Sequence, residues 1–319
     1  MDKVDITVII CCYNSSTRIQ STLEHLAQQE LYGLKAEVIL IDNNCCDETV
    51  TFSQNIWTQR KSPYPFRILN EPNPGLSFAR KKGVLGAKGD IVIFCDDDNW
   101  LEKNYLFNAF QIMNCDRNIG VLAGQSIAIS DIEIPNWFYT YYGLYACGVL
   151  SLESGDVTSR RWVWGAGMVV RKNVMLEMYS RFRNITTDRK GTDLSSGGDV
   201  EICLWHVLSG FKLWYSTELF FKHYMPPSRL LIKMALIQFD AQLQSCKKLS
   251  RLDNLANEYL LWKDSSKKYL FVIIVKLVKL NFYDFAIKLY TLLVLIRIWP
   301  NKWILPAYKI KSLFRFHTD

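Results

Sequence analysis

The nine cysteines are odd in number and show no C-x-x-C spacing, which argues against a zinc site and against a disulfide framework. No G-x-G-x-x-G follows the first apolar run and no G-x-x-x-x-G-K-[ST] occurs. A dinucleotide-binding Rossmann unit and a P-loop therefore have no support. The amino terminus, Met1-Asp2-Lys3-Val4-Asp5, is acidic and lacks the basic and apolar regions of a signal peptide; a reducing, cytoplasmic setting is expected. A run of about 18 uncharged apolar residues is also missing. The apolar stretch from Tyr269 to Ile298 is broken by Lys276, Lys279, Asp284, Lys288 and Arg297.

What is present is a globular composition, 49% hydrophobic and 22% charged over 319 residues, enough for one large domain or two unequal ones. The net charge of +7 is unevenly placed. Residues 222–319 hold 17 Lys and Arg against 6 Asp and Glu, a net +11, and residues 1–221 hold 21 against 25, a net −4. The two parts are expected to meet different partners.

Apolar runs alternate with helical spacing through the first hundred residues. Val4 to Cys12 reads as a buried strand, and Tyr13-Asn14-Ser15-Ser16 gives turn chemistry before Ile19, Leu23 and Leu26 recur at helical intervals. Glu37 to Asp42 is a second strand, with Asp47 placed to cap the following helix. Phe66 to Leu69 is a third, ahead of Pro72-Asn73-Pro74-Gly75 and a helix from about Ser77 to Gly89. Such βα repeats build a mostly parallel sheet flanked by helices, which binds ligands beyond the carboxyl ends of its strands. Asn14, Asp42 and the acidic cluster Asp96-Asp97-Asp98 all fall there. The cluster ends the apolar run Ile91-Val92-Ile93-Phe94-Cys95. Three adjacent carboxylates repel one another unless a cation offsets them, and oxygen donors suit a hard ion such as Mg²⁺ or Mn²⁺ bridging phosphates. In an extended chain Asp96 and Asp98 would share a face. The alternative is a solvated turn.

Pro74-Gly75-Leu76-Ser77-Phe78-Ala79-Arg80, then Gly89-Asp90-Ile91-Val92-Ile93-Phe94, then Asp96-Asp97-Asp98 resemble, in this order, the family 2 glycosyltransferases. Val8 to Asn14 and Ile41-Asp42-Asn43-Asn44 through Asp47-Glu48-Thr49 fit the same family's nucleotide-binding half. The resemblance covers roughly residues 4–225. It implies a GT-A fold, a Rossmann-like mostly parallel sheet, and a nucleotide-diphosphate-sugar donor used with inversion. It further implies Asn14 and Asp42 near the nucleoside, Arg80, Asp96 and Asp97 near the nucleotide, and Asp98 as the metal ligand.

In the second half, Trp162 to Arg171 reads as a strand interrupted by Gly165 and Gly167, and glycines inside a strand mark a bulge or a close backbone approach. By resemblance, Trp164, Gly165, Ala166 and Gly167 border the donor sugar and acceptor, and so do Gly198 and Glu201. Ser195 to Leu204 leads from a polar loop into a helix. Asp199 at that helix start has an ordinary reading as a dipole-complementing acid, but it aligns with the family's general base. The residue before it is commonly Glu in the family and here is Gly198. His223 matches a metal- or diphosphate-contacting position, whereas His206, inside an apolar helix, reads as structural. The aromatic stretch from Asp131 to Gly148 could stack on a sugar or fill a core. The polar stretch Arg183 to Gly198 is a candidate mobile loop.

The expected organisation is a catalytic domain over 1–225, with a nucleotide-binding half at about 1–125 and an acceptor half at about 126–225. A basic, apolar, helical region follows over 226–319. Trp299, Trp303 and Tyr308 among Lys302, Lys309, Lys311 and Arg315 suit contact with an anionic membrane surface; a packed helical subdomain is the alternative. The reading is an inverting, metal-dependent transferase acting at the inner face of the cell membrane. Its acceptor would be a glycan or lipid-linked molecule of polysaccharide or lipopolysaccharide assembly, and no nucleic-acid partner is expected. The rivals are a sugar-nucleotide nucleotidyltransferase, which would need a Gly-rich basic loop after the first strand, and a catalytically silent glycan-assembly protein.

Overall fold

A computed structural model describes residues 3–61, 63–181, 184–186, 188–189 and 196–264. The expected membrane-contacting segment, 269–319, lies outside them, as do positions 183, 187 and 190–195 of the stretch 183–198 expected as a mobile loop. The chain divides into two compact units, Met1–Ser250 and Arg251–Asp319.

Strands β1 (Ile6–Cys12), β2 (Ala36–Asp42), β3 (Phe66–Asn70) and β4 (Ile91–Cys95) alternate with helices α1 (Ile19–Ala27), α2 (Thr49–Gln59) and α3 (Leu76–Gly86). These follow the sequence pattern closely, because strands covered on both faces need continuous apolar runs. β5 (Asn99–Leu101), α4 (Tyr105–Cys115), β6 (Ile119–Ile129), α5 (Phe138–Tyr141), β7 (Gly155–Asp156), β8 (Val169–Arg171), α6 (Lys172–Arg181), α7 (Gly198–Leu208), β9 (Lys212–Tyr224) and α8 (Ile232–Asp264) complete the described strands and α-helices. Among the described residues the sheet has nine strands in the order β3-β2-β1-β4-β8-β6-β9-β5, with β7 also on β9.

The sheet is mixed. β1 pairs in parallel with β2 and β4, β2 with β3, and β6 with β9, whereas β8 runs antiparallel to both β4 and β6. The chain winds outward from β1 to β3 and then returns across β1 to β4, so the strand order reverses between β1 and β4. This switch opens a crevice at the carboxyl ends of those two strands. Because β8 enters beside β4 from the opposite direction, the residues before it lie at the same end, where Phe94 N–H donates to the Met168 carbonyl at 2.8 Å.

The segment expected as one strand from Trp162 to Arg171 is a strand only over its last three residues. Gly167 adopts φ 69°, a left-handed value that breaks the pleat and that glycine tolerates best. Conversely, the two apolar runs at 211–215 and 220–224 merge into the single 13-residue β9. Its register against β6 shifts between Ala123 and Gln125, and a Cβ at Gly124 would overlap the Leu219 carbonyl oxygen of the bulged strand.

His206 is fully buried, with Nδ1 2.8 Å from the Ile202 carbonyl oxygen and Nε2 without a hydrogen-bond partner among the described residues. Burial pushes its pKa from 6.5 down to about 4, so the ring is neutral in the folded protein. The unfolded chain takes up a proton first, and the stability present above about pH 6.5 is lost as pH falls toward 4. Urea denaturation across pH 4–8 should show this decline, and His206→Leu should flatten it. Gly124→Ala should destabilise by about 1–3 kcal/mol, the usual cost of forcing atoms into a packed site.

Candidate active site

Turns beyond β1 and β2 form one wall of the crevice. Asn14, at φ 49°, accepts the Cys46 N–H at 2.8 Å through Oδ1 and so ties the end of β1 to the loop after β2. Asp42 closes the first turn of that loop by accepting the Cys45 N–H at 2.9 Å. Asn43, buried and not foreseen, does more. Its Nδ2 donates to the carbonyls of Glu71 (2.9 Å) and Asn73 (2.7 Å), and its Oδ1 accepts the Gly75 N–H at 2.8 Å. These bonds hold the Pro72–Gly75 turn, and with it the start of α3, against the end of β2.

The acidic cluster departs from the extended geometry expected of it. β4 ends at Cys95, and Asp97 and Asp98 lie in a turn before β5, so the three side chains take three environments. Asp97 pairs with Arg18 at 2.7 Å and accepts a hydrogen bond from Ser15 Oγ. Asp98 lies between two cations, His223 (Nε2, 3.2 Å) and Arg229 (Nη1, 2.8 Å). Asp96 is half-buried, and its carboxylate accepts no hydrogen bond among the described residues. Burial and the Asp98 charge push Asp96 and Asp97 above the usual carboxylate range. For Asp98, burial acts in the same direction but His223 and Arg229 outweigh it and hold the group well below. Burial alone would lower His223, yet Asp98 raises it to about 9. In this arrangement His223 Nε2 lies against Asp98 Oδ1.

No group of three or more His, Cys, Asp or Glu side chains converges on a metal position among the described residues. The oxygen-only pair Asp96 and Asp98 nevertheless suits a hard divalent ion whose remaining ligands are phosphate oxygens and water. Asp96 has the open carboxylate for it.

Arg80 lies at the back of the crevice, 6% exposed. Its guanidinium stacks over Phe94 at 5.3 Å and pairs with Asp188 at 3.3 Å. Burial would favour its losing the proton, but the charges of Asp188, Asp96 and Asp199 reverse that. Asp199, in the first turn of α7, accepts the Gly165 N–H at 3.0 Å and the Val200 N–H at 2.9 Å. A Cβ on Gly165 would come within 2.9 Å of Asp199 Cβ and 3.0 Å of Arg80 Nη2, so this glycine admits both groups. Ala166 is buried, and Tyr105 Oη donates to the Gly167 carbonyl at 2.7 Å. Trp164 donates from Nε1 to the Gly143 carbonyl at 3.0 Å.

Glu201, expected near the acceptor, is 4% exposed. It accepts Ile185 N–H (2.7 Å), Thr186 N–H (2.9 Å) and Thr186 Oγ1–H (2.8 Å). It anchors the segment that carries Asp188. In the aromatic stretch, Phe138 and Tyr145 join a core cluster with Met225 and Leu230, whereas Tyr139, Tyr141 and Tyr142 are exposed. Sequence reasoning missed Ser15, Arg18, Asn43, Asp188 and Arg229. For Arg18 a signal existed, since a cation one helical turn beyond Asn14 is well placed to meet an acid at the next strand end.

Asn43→Ala should cost about 1–3 kcal/mol in urea denaturation for stranding the Gly75 N–H.

The family model for Glycosyl transferase family 2 matches residues 7–158. The putative glycosyltransferase EpsH of Bacillus subtilis is 27% identical over 105 residues, 33% of this chain and 29% of that protein. The cholesterol galactosyltransferase of Borreliella burgdorferi is 31% identical over 105 residues, 33% of this chain and 28% of that protein. The alignments thus span under a third of these relatives' length. In structure, S. aureus TarS 1-349 superposes with a TM-score of 0.54 at 16% identity, covering 83% of this chain and 74% of that one. GalNAc-T7 with UDP, GalNAc and Mn²⁺ gives 0.52 at 16% identity, covering 70% and 44%. These likenesses are of fold. Residues 7–158 thus match glycosyl transferase family 2, and the βα units and mixed sheet they contribute to are GT-A-like in fold.

Proposed function

We propose that the chain transfers a sugar from a nucleotide-diphosphate-sugar donor to a hydroxyl of a glycan or lipid-linked acceptor, with inversion at the anomeric carbon. The observation that carries this is the Asp199 carboxylate held by the Gly165 N–H within electrostatic reach of the buried Arg80. A base from the second half of the chain thereby faces a nucleotide crevice built by the first. TarS, which has this fold, has been crystallised with UDP-GlcNAc, and UDP-sugars are the donors to test first.

The nucleoside lies along Asn14, Asp42 and Asp97, and the diphosphate extends toward Asp96 and Asp98. Mg²⁺ or Mn²⁺, held by Asp96 and Asp98, would neutralise charge building on the leaving diphosphate. His223 and Arg229 fix the Asp98 carboxylate, and they place two further positive charges beside the leaving group. Asp199, which accepts the Gly165 and Val200 N–H groups, takes the proton of the acceptor hydroxyl as that oxygen attacks from the face opposite the leaving diphosphate.

Among the described residues no helix is long and apolar enough to cross a membrane. The net charge of +11 over 222–319 supports a peripheral contact with an anionic membrane surface, where lipid-linked acceptors of cell-surface polysaccharide assembly reside.

Asp199→Asn keeps size and capping geometry but cannot accept a proton. Transfer should fall by roughly two to four orders of magnitude, with calorimetric UDP binding nearly unchanged. NMR of the wild-type product should show the anomeric configuration opposite to the donor's. A folded variant with wild-type transfer, or a product of retained configuration, would contradict the assignment.

A further inference from the structure

The helix that presents Asp199 begins with Gly198, where no side chain can contribute a charge. The space beside it is filled from elsewhere in the chain: a Cβ on Gly198 would overlap the carboxylate of Asp188, running into its Oδ2. Asp188 is 4% exposed and pairs through that same Oδ2 with Arg80 at 3.3 Å, and its Oδ1 accepts the Arg189 N–H at 3.1 Å. A short carboxylate is thus held between the first residue of α7 and the buried guanidinium.

The holding is elaborate for a loop residue. Upstream, the Glu201 carboxylate takes three hydrogen bonds from Ile185 and Thr186. Downstream, the Arg189 carbonyl accepts the Leu76 N–H at 2.9 Å, at the start of the helix that carries Arg80. Asp188 itself sits at φ 52°, a left-handed conformation that an L-residue adopts at some cost. A cavity of about 20 Å³, lined by Arg80, Asp188, Glu201, Gly198 and Ser77 among others, adjoins it and is large enough for one water.

Arg80 has three carboxylates within electrostatic reach, Asp188, Asp96 and Asp199, and one of them takes the direct ion pair. If Asp188 were absent, Asp199 would compete for the guanidinium, since Gly165 leaves both groups in contact range. A base locked to a cation is a poorer proton acceptor, because the charge it must lose on protonation is already stabilised.

We propose that Asp188 is a positioning residue of the transfer reaction: it supplies from the preceding loop the carboxylate that Gly198 lacks, and its pairing with Arg80 keeps that cation off Asp199. The proposal rests on the transferase reading above. Its own content is the spatial exchange between positions 188 and 198 and the division of charge around Arg80.

The test uses the full chain, UDP-GlcNAc and a panel of other nucleotide sugars, with donor turnover followed by chromatography. Asp188→Gly suits the left-handed backbone and removes the carboxylate. It should lower kcat roughly tenfold to a hundredfold, the range for disturbing the alignment of reacting groups, with KM for the donor within about threefold. Gly198→Asp alone should also impair turnover and lower Tm, since the new side chain collides with Asp188. The double variant Asp188→Gly/Gly198→Asp, which moves the carboxylate onto α7, should recover at least about a third of wild-type kcat and the lost Tm. Rescue of both readouts supports the proposal. A double variant no faster than Asp188→Gly, or a neutral Gly198→Asp, would overturn it. If wild-type protein turns over no nucleotide sugar, the transferase reading falls and the positioning role with it, while non-additive Tm values would still report the contact of 188 with 198.

Discussion

A guanidinium buried to 6% exposure has to be met by carboxylates, and Arg80 gathers them from segments far apart in sequence. Asp96 comes from the end of β4, Asp188 from the loop after α6, and Asp199 from the start of α7. Leaving a buried charge without a partner is strongly destabilising, by about 3–5 kcal/mol in measured cases. The folded state that satisfies Arg80 is therefore also the one that brings the acidic turn after β4 and the start of α7 together. The helix carrying Arg80 is in turn placed by Asn43, whose three bonds fix the turn before it.

A second charge cluster stands at the other side of the acidic turn. Asp97 is committed to Arg18 and Ser15, and Asp98 to His223 and Arg229. Among the described residues Asp96 alone of the three accepts no hydrogen bond at its carboxylate. Adjacent acids would repel one another in an extended strand. The turn after Cys95 lets two of them face separate cations and leaves the third toward the crevice. The antiparallel entry of β8 beside β4 completes the arrangement by bringing the Gly165–Met168 loop to the same end. The topology thus delivers a backbone N–H to Asp199.

Much of the first hundred residues was legible in the sequence, because fully buried parallel strands require apolar runs such as Ile6–Cys12 and Ile91–Cys95, and periodicity detects these directly. The family resemblance was legible for the same stretch, and the family match covers it. β6 was not seen: Ile119–Ile129 mixes Gly120, Gly124, Gln125 and Ser126 with its apolar residues, since it must admit Phe211, Leu219 and the bulged β9. Asp199 and His223 stood out as motif positions. Asp188 and Arg229 did not, because their roles depend on contacts 108 and 131 residues away in sequence, and no local pattern encodes such contacts. Glu201 shows the converse. An acid beside a motif looked like part of the acceptor site, yet its oxygens are taken by the backbone that holds Asp188.

Whether Arg80 and its carboxylates join the proposed nucleotide crevice and the proposed base into one site is measured most directly by a crystal structure with UDP bound. The expected result has UDP against Asn14 and Asp42 with its diphosphate toward Asp96. Arg80 should remain buried and paired with Asp188, and Asp199 should face the open end of the diphosphate from its bond to Gly165 N–H. A complex with Arg80 turned out to solvent, or with UDP bound on a surface remote from Asp96 and Asp199, would contradict it.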